Sequence, residues 1–188
     1  MIDVPEALPG VLEVALAGHS DAALRSRVAE GLPDNHDLRN SLLALLSWDL
    51  APEVRIVAAA RVDGDQYNRE YSRLASDEAV EARLQAVWHT MHSDVLLKLA
   101  MDADPRVRAA VADRVFTPVD AMKSLARDRH EDVRYAVAGA SHAPDEALSA
   151  LVNDVSERVA KKAKKTLRGR NKPDEISRDV HGSDAELG

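Results

Sequence analysis

The chain has 188 residues, of which 25 are basic and 32 are acidic, so its formal net charge is −7. It contains no cysteine, which excludes disulfides, thiolate zinc sites, cysteine nucleophiles and iron–sulfur clusters held by protein thiolates, and fits a reducing cytoplasm. Apolar residues make up 45% of the chain but aromatic residues only 3%. A core built from Ala, Val and Leu favours closely packed helices over sheets.

The first ten residues, MIDVPEALPG, carry no basic region and no long apolar run. We therefore expect no signal peptide. No window approaches about eighteen apolar residues without charge, so we expect no membrane span and a cytoplasmic location.

A leucine recurs along the chain at intervals of 30, 28, 25, 26 and 26 residues. A second apolar position follows it, at a distance of eight residues in five of the six units and of six residues in the third. The leucine column comprises Leu16, Leu46, Leu74, Leu99, Leu125 and Leu151, and the second column comprises Leu24, Val54, Val80, Val107, Val133 and Val159. Self-similarity at a fixed period indicates a repeat architecture.

Each unit has the pattern of two short helices. Apolar residues at helical spacing, such as Val107, Ala110 and Val111, mark the first helix. The second helix follows a turn, and Pro9, Pro118 and Pro144 each lie seven residues before the leucine of their unit, where a first helical turn tolerates proline. Helices shorter than about 12–15 residues are marginal in water. The sequence therefore predicts an all-α solenoid of about six stacked two-helix repeats.

Three units also carry an Asp and an Arg six residues apart, with the Asp in the turn and the Arg in the following helix. These pairs are Asp49 with Arg55, Asp102 with Arg108, and Asp128 with Arg134. We expect them to form a structural ladder within or between repeats, the alternative being a phosphate-binding stripe of arginines. In the third and last units we assign Glu81 and Ala160 to the arginine column, which favours the structural role.

The stretch TPVDAMKSLARDRHEDVRYAVAGASHAPDEALSAL resembles the leucine-rich repeat variant family and is similar to short HEAT-like repeats in its Asp-to-Arg spacing. The resemblance is strong over residues 92–167 and fainter over 9–91. It implies a right-handed superhelix in which α-helices alternate with α- or 3₁₀-helices, and it implies interaction surfaces without a particular activity. The cysteine-ligated iron–sulfur module of the family's founding members does not carry over to a chain without cysteine.

We assign residues 1–168 to the solenoid, with an N-terminal cap at 1–30 and a basic closing helix at 155–168. The connections GLPDNHDLRNS and VDGDQYNREYS depart from the repeat pattern in the first half. Residues 169–188 lack hydrophobic periodicity and carry much charge, so we expect a disordered tail.

Two tryptophans are candidates for partner binding. Trp48 falls in the turn after Leu46, and Trp88 falls at the end of a helix. They either fill gaps between repeats of unequal length or serve as exposed anchors, since Trp is enriched at binding hot spots.

The segment from Ser156 to Lys172 has eight basic residues and one acidic residue, whereas Pro173 to Gly188 has five acidic residues and one basic residue. The cations of the first of these segments either form a solvated face on the closing helix or bind an acidic protein or a nucleic acid. The candidate contact residues are Lys161, Lys162, Lys164, Lys165, Arg168 and Arg170. Residues 1–155 carry the remaining charge of −10, which disfavours phosphate binding elsewhere on the surface.

Motifs for catalysis or cofactor binding are missing from the sequence. His89 and His92 lie three residues apart without an HExxH frame, so ordinary surface or cap histidines are favoured over a metal site. We expect no cofactor, no metal and no enzymatic activity. The favoured function is a protein-interaction scaffold. The first alternative is a nucleic-acid-binding module, which in its extreme form would resemble the HEAT-like DNA glycosylases. The second alternative is an enzyme that uses the His89 region.

Overall fold

The computed structural model describes residues 17–32, 39–61 and 68–170. Within these ranges the chain forms α-helices joined by short turns, with no strand. The short helices that we expected to be α or 3₁₀ are α-helical there. The helices are α1 (Ala22–Gly31), α2 (Arg39–Leu46), α3 (Pro52–Arg61), α4 (Asn68–Leu74), α5 (Val80–His89), α6 (Ser93–Leu99), α7 (Pro105–Ala112), α8 (Val119–Leu125), α9 (Glu131–Gly139), α10 (Asp145–Leu151) and α11 (Glu157–Arg170).

The helices alternate between two rows. The odd-numbered helices pack one on the next from α1 to α11, and we call them the first-helix row. The even-numbered helices are seven or eight residues long and pack against their neighbours in the first-helix row. Helices this short depend on tertiary packing for their stability. The two rows therefore form the predicted α-solenoid.

Turn residues set the helix starts. Asp104 caps α7 by accepting a hydrogen bond of 2.8 Å from the Arg106 amide, and Pro105 occupies the first turn. Pro118 and Pro144 are the N-cap residues of α8 and α10, one position before the first turn in which we placed them. Proline suits this place because its extended backbone leads into the helix and it has no N–H that would need a partner.

The core runs along the seam between the rows. From Leu46 onwards every member of the leucine column is buried, while Leu16 lies outside the described residues. The side chains of the second column are also buried, except at its first and third positions, where Leu24 and Val80 are only half-buried. Ala82, eight residues after Leu74, is fully buried in place of Val80. The spacing of eight is thus regular, and choosing Val80 for this column was wrong.

The last helix spans Glu157–Arg170 rather than 155–168, so Gly169 and Arg170 are helical. The rest of the tail predicted to be disordered, residues 171–188, lies outside the described residues, as do residues 1–16 of the N-terminal cap and the segments 33–38 and 62–67 of the two irregular connections. The division into cap, solenoid and tail stays a prediction. In the described ranges every helix is too short or too polar to cross a membrane.

Candidate partner-binding surface

A ladder of arginine–aspartate pairs fixes each repeat to the next. In every step the guanidinium donates Nε–H and an Nη–H to the two carboxylate oxygens of an Asp in the following turn. This two-point geometry is the strong form of an ion pair. The pairs and their Nε–Oδ2 distances are Arg25–Asp49 (2.6 Å), Arg55–Asp77 (2.7 Å), Arg83–Asp102 (2.7 Å), Arg108–Asp128 (2.6 Å) and Arg134–Asp154 (2.7 Å).

The same arginines also hold the turn of their own repeat. Arg108, for example, donates its remaining Nη1–H groups to the backbone carbonyls of Asp102 and Ala103 at 2.7 and 3.0 Å. The predicted partners six residues apart therefore do meet, but through the backbone oxygen of the Asp. Its carboxylate belongs to the arginine of the preceding repeat. The structural interpretation of the ladder is favoured over a phosphate-binding stripe, because these guanidinium groups are occupied.

The sequence-based ladder was incomplete at its third step. Arg83, not Glu81, occupies the arginine column there, and it pairs with Asp102 while donating to the Asp77 carbonyl at 2.8 Å. The missed signal was the spacing of six between Asp77 and Arg83. Ala160 does stand in the arginine column of the last unit, six residues after Asp154.

Charge pairing shifts the pKa values of the ladder. Hydrogen bonds from Arg25 lower the pKa of Asp49, and those from Arg134 lower the pKa of Asp154. For Asp128, burial acts to raise the pKa, but the hydrogen bonds from Arg108 and from the His130 amide outweigh it and the pKa falls. These carboxylates are therefore ionised at neutral pH, as their ion pairs with arginine require.

A second set of contacts joins the carboxyl ends of successive first-row helices. Arg61 donates to the carbonyls of Ala29 and Leu32 at 2.7 Å, and Arg114 donates to the Thr90 carbonyl at 3.1 Å. Helix carboxyl ends leave carbonyls without partners, so these contacts cap α1 from α3 and α5 from the residues that follow α7. Sequence reasoning missed this set because arginine does not recur at this position in every repeat.

Arg170 has the same structural role. It donates to the carbonyl oxygens of Ser141 and Ala143 and forms an ion pair of 2.5 Å with Asp145. Of the cations predicted to bind a partner, Arg170 is therefore engaged within the fold.

The first-helix row carries apolar groups that are partly buried and pack against the core, together with one exposed ring. Each of them occupies the seventh, eighth or eleventh position after the turn residue that begins its repeat. We define the first-helix face by Ile56, Val57, Leu84, Trp88, Ala109 and Tyr135, of which Trp88 is the most exposed at 45%. An apolar stripe along consecutive repeats is a common form of solenoid binding surface.

Tyr135 lies under two cations from the last helix. The guanidinium carbon of Arg158 is 3.9 Å from the ring centroid, and the Lys162 Nζ is 5.7 Å from it. Gly139 leaves room for Lys162 to cross, since a Cβ there would approach the Lys162 Cε to 2.8 Å. Lys162 is thus half-buried in the fold, while Arg158 forms exposed ion pairs with Glu131 and Asp132.

The two tryptophans lie in different surroundings. Trp48 is 47% exposed, but Arg73 and Arg69 lie over its ring at 4.7 and 5.4 Å from the centroid. Trp88 is equally exposed and has no cation over its ring among the described residues. Neither side chain is buried as a gap-filler. Trp88 is the better candidate anchor because its ring faces are not already engaged by a cation.

The other predicted cations lie on the outer side of α11. We call Lys161, Lys164, Lys165 and Arg168 the basic end; all four side chains are exposed. Lys161 forms a 2.7 Å pair with Glu157, and the described residues offer no acidic partner to the other three. Together with Gly169 they line a shallow cleft.

His89 and His92 do not belong to any larger cluster of potential metal ligands in the described part of the chain. No group of three or more His, Asp or Glu side chains there has the arrangement needed to hold an ion. His92 takes the N-cap position of α6, and its backbone N–H donates to the Thr90 hydroxyl at 3.1 Å.

Comparison with solved structures identifies a similar repeat protein. The chain matches a structure described as a leucine-rich repeat variant with a novel repetitive protein structural motif, with a TM-score of 0.65 and 27% sequence identity over 90% of this chain and 68% of the other. This chain resembles a leucine-rich repeat variant in sequence and in structure. No protein-family model matches it, and no curated protein does. The resemblance indicated by the repeat residues is confirmed, and with it the all-helical repeat fold.

Proposed function

We propose that the protein is a non-catalytic cytoplasmic scaffold that binds another protein on the first-helix face. The observation that carries the proposal is the exposed ring of Trp88 beside the partly buried apolar side chains of the first-helix face. Helical repeat proteins commonly use such extended surfaces for binding. Large aromatic side chains dominate binding energy at protein interfaces.

The chemistry of the face suggests the kind of partner. Apolar side chains would pack on Leu84 and Trp88, and acidic side chains would approach Arg158 and Lys162 near Tyr135. The ladder supports this role because it fixes the spacing of successive helices, so that a partner meets a preorganised surface.

Nucleic acid is less well matched to this surface. The net charge of −10 over residues 1–155 repels phosphates. The ladder arginines are paired with carboxylates, and Trp48 is already stacked under two arginines. The basic end is the described region that best suits a polyanion.

Quantitative affinity capture from the native host tests the proposal. Wild type, Trp88→Ala and Trp48→Ala are used as baits, the last being a matched control because the two rings are equally exposed. We expect Trp88→Ala to lose specific partners that Trp48→Ala retains, with both baits showing wild-type helical circular dichroism.

A second measurement addresses the alternative. Wild type and a variant with Lys161, Lys164, Lys165 and Arg168 changed to Glu are titrated with duplex and single-stranded DNA and RNA at low and moderate salt. Tight binding that disappears in the charge-reversed variant, together with capture unaffected by Trp88→Ala, would replace the protein scaffold with a nucleic-acid-binding function.

A further inference from the structure

Two neighbouring loops of the solenoid carry exposed apolar side chains. The first loop, residues 90–92, joins α5 to α6, and the second, residues 113–118, joins α7 to α8. The loops touch, because Arg114 of the second donates to the Thr90 carbonyl of the first at 3.1 Å. We define the loop edge by four side chains that are each more than half exposed: Met91, Val115, Phe116 and Val119, the last being the first residue of α8.

The fold does not require apolar side chains at this edge. None of the four belongs to the core cluster. The leucine column places the next repeat 26 residues further along the chain, where Ser141 and His142 occupy the positions of Val115 and Phe116. That repeat has the same pair of helices, α9 and α10. Adjoining exposed apolar side chains that packing does not explain are typical of an interaction site.

The charges beside the loop edge are mainly negative. Asp94 and Asp120 are the second residues of α6 and α8, Asp113 directly follows α7, and all three are exposed. No described residue forms an ion pair with any of them. Arg114 is the one Lys or Arg within the two loops, so together with the three acids it gives a net charge of −2. This field attracts a cationic partner and repels phosphates.

From the exposed apolar side chains and the acids that flank them, we propose that the loop edge binds a basic amphipathic segment of another protein. The apolar side chains of such a segment would cover Phe116 and its neighbours, and its Lys or Arg side chains would pair with the three aspartates. A second copy of the chain is a poorer match, because the basic end supplies cations without any exposed large apolar side chain. The loop edge shares no residue with the first-helix face, so this proposal does not depend on the proposed function.

Peptide binding to the full chain tests the apolar part of the proposal. The probe is a fluorescent amphipathic peptide of Leu and Lys, and a peptide of the same pattern with Glu in place of Lys is its charge control. The polar variant combines Val115→Ser, Phe116→His and Val119→Ser, which are the residues that neighbouring repeats carry at these positions: Ser141, His142 and Ser93. We therefore expect it to fold. At pH 8, where histidine is neutral, it should bind the Leu–Lys peptide about tenfold more weakly than wild type does, because three apolar side chains are no longer covered.

A charge variant tests the role of the acids. In it Asp94, Asp113 and Asp120 become Asn. The matched control changes three exposed acids near the amino ends of α3 and α5 to Gln, at the opposite edge of the first-helix row: Glu53, Glu78 and Glu81. At low salt we expect the charge variant to bind the Leu–Lys peptide about fivefold more weakly and the control less than about twofold more weakly. The difference should shrink as salt is added.

Methionine methyl signals report where the peptide binds. Met91 and Met101 are both exposed, but the turn of Met101 precedes α7 whereas the second loop follows it; Met122 is buried. In nuclear magnetic resonance spectra of protein with isotope-labelled methionine methyl groups, the Leu–Lys peptide should shift the Met91 signal and leave those of Met101 and Met122 in place.

Several outcomes would overturn the proposal. They are equal affinity of wild type and the polar variant, equally tight binding of the Leu–Glu peptide, equal weakening by the charge variant and its control, and an unshifted Met91 signal. A wild-type dimer in sedimentation velocity that the polar variant loses would replace the basic segment with a second copy of the chain. Binding to phosphatidylcholine vesicles that the polar variant loses, without binding of the peptide, would replace it with a lipid surface.

Discussion

Between α7 and α9 the tenth position after the turn holds Ala112, which is fully buried, and the sixth holds Arg108, which binds Asp128 of the next repeat. On α11 the same two positions hold Lys164 and Ala160. An interior junction thus combines a small contact residue with a long cation reaching forward. The closing end reverses this arrangement, with a long cation at the contact and a small residue where the ladder would continue.

The difference lies on the outer side of α11 and not in the core. The leucine column continues into the last repeat, since Leu151 is buried as Leu125 is. The exposed cations of the basic end make the outer side of α11 compatible with water and unsuitable for stacking. Terminal repeats of solenoids generally need such a polar outer face.

The largest effect is expected when the lysine found at the tenth position of α11 is placed at the tenth position of the interior helix α7. Ala112→Lys forces an ammonium group and four methylenes into a buried contact, and we expect it to lower the free energy of unfolding by about 3–5 kcal/mol. Lys164→Ala, the reciprocal change, should stay within about 0.5 kcal/mol of wild type. Urea denaturation followed by circular dichroism measures both. A mild effect of Ala112→Lys would show that the junction is not tightly packed.

The burial of leucine side chains should also distinguish the two regions. Leu125 is 1% exposed in the interior, so Leu125→Ala should cost about 2–5 kcal/mol. Leu167 is half-buried on α11, so Leu167→Ala should lower the free energy of unfolding by only about 1 kcal/mol. Equal costs in thermal or urea unfolding would contradict the burial pattern.

The ion pairs of the ladder are less exposed to solvent than the ion pairs at the surface, so the two kinds should differ in coupling energy. Arg108 and Asp128 keep only 8% and 11% of their side-chain exposure. Removing the cation by Arg108→Ala leaves a poorly solvated carboxylate, and we expect a loss of about 3 kcal/mol. A double-mutant cycle with Asp128→Asn should show coupling of about 1–3 kcal/mol.

The exposed pair of Arg158 and Asp132, with side chains 55% and 77% exposed, provides the reference. The coupling in its cycle should be about 0–1 kcal/mol. Coupling at Arg108 no larger than this would mean that the ladder contributes little to stacking.

Acid should weaken the interior junctions. The folded-state pKa of Asp154 is lowered by Arg134, so this group contributes stability that is present above its unfolded pKa of about 4 and is lost as pH falls towards the folded value. We expect the free energy of unfolding to fall from about pH 5 downwards. Both Asp154→Asn and Arg134→Met should make this decline shallower. An unchanged slope in both variants would rule out this linkage.

Much of the fold could be predicted from local sequence. Periodic leucines, few aromatic residues and prolines before the second helices indicate stacked helix pairs, because helix propensity and hydrophobic spacing act over a few residues. The third repeat shows where this reasoning fails. Val80 is the more apolar residue, yet Ala82 is buried and Arg83 enters the ladder. Residue type alone did not reveal the register that packing selects.

The sequence by itself determined the helices, the repeat length and the charge of the closing helix, all of which depend on neighbours along the chain. Only the tertiary structure decided that each arginine pairs with the carboxylate of the following repeat, 19–24 residues away. It also decided that Trp48 lies under arginines while Trp88 has no such partner among the described residues, and that Arg170 caps the fold while Lys164 is exposed. These outcomes depend on which side chains meet across the stack, and spacing along one helix does not specify the side chain that approaches from the next.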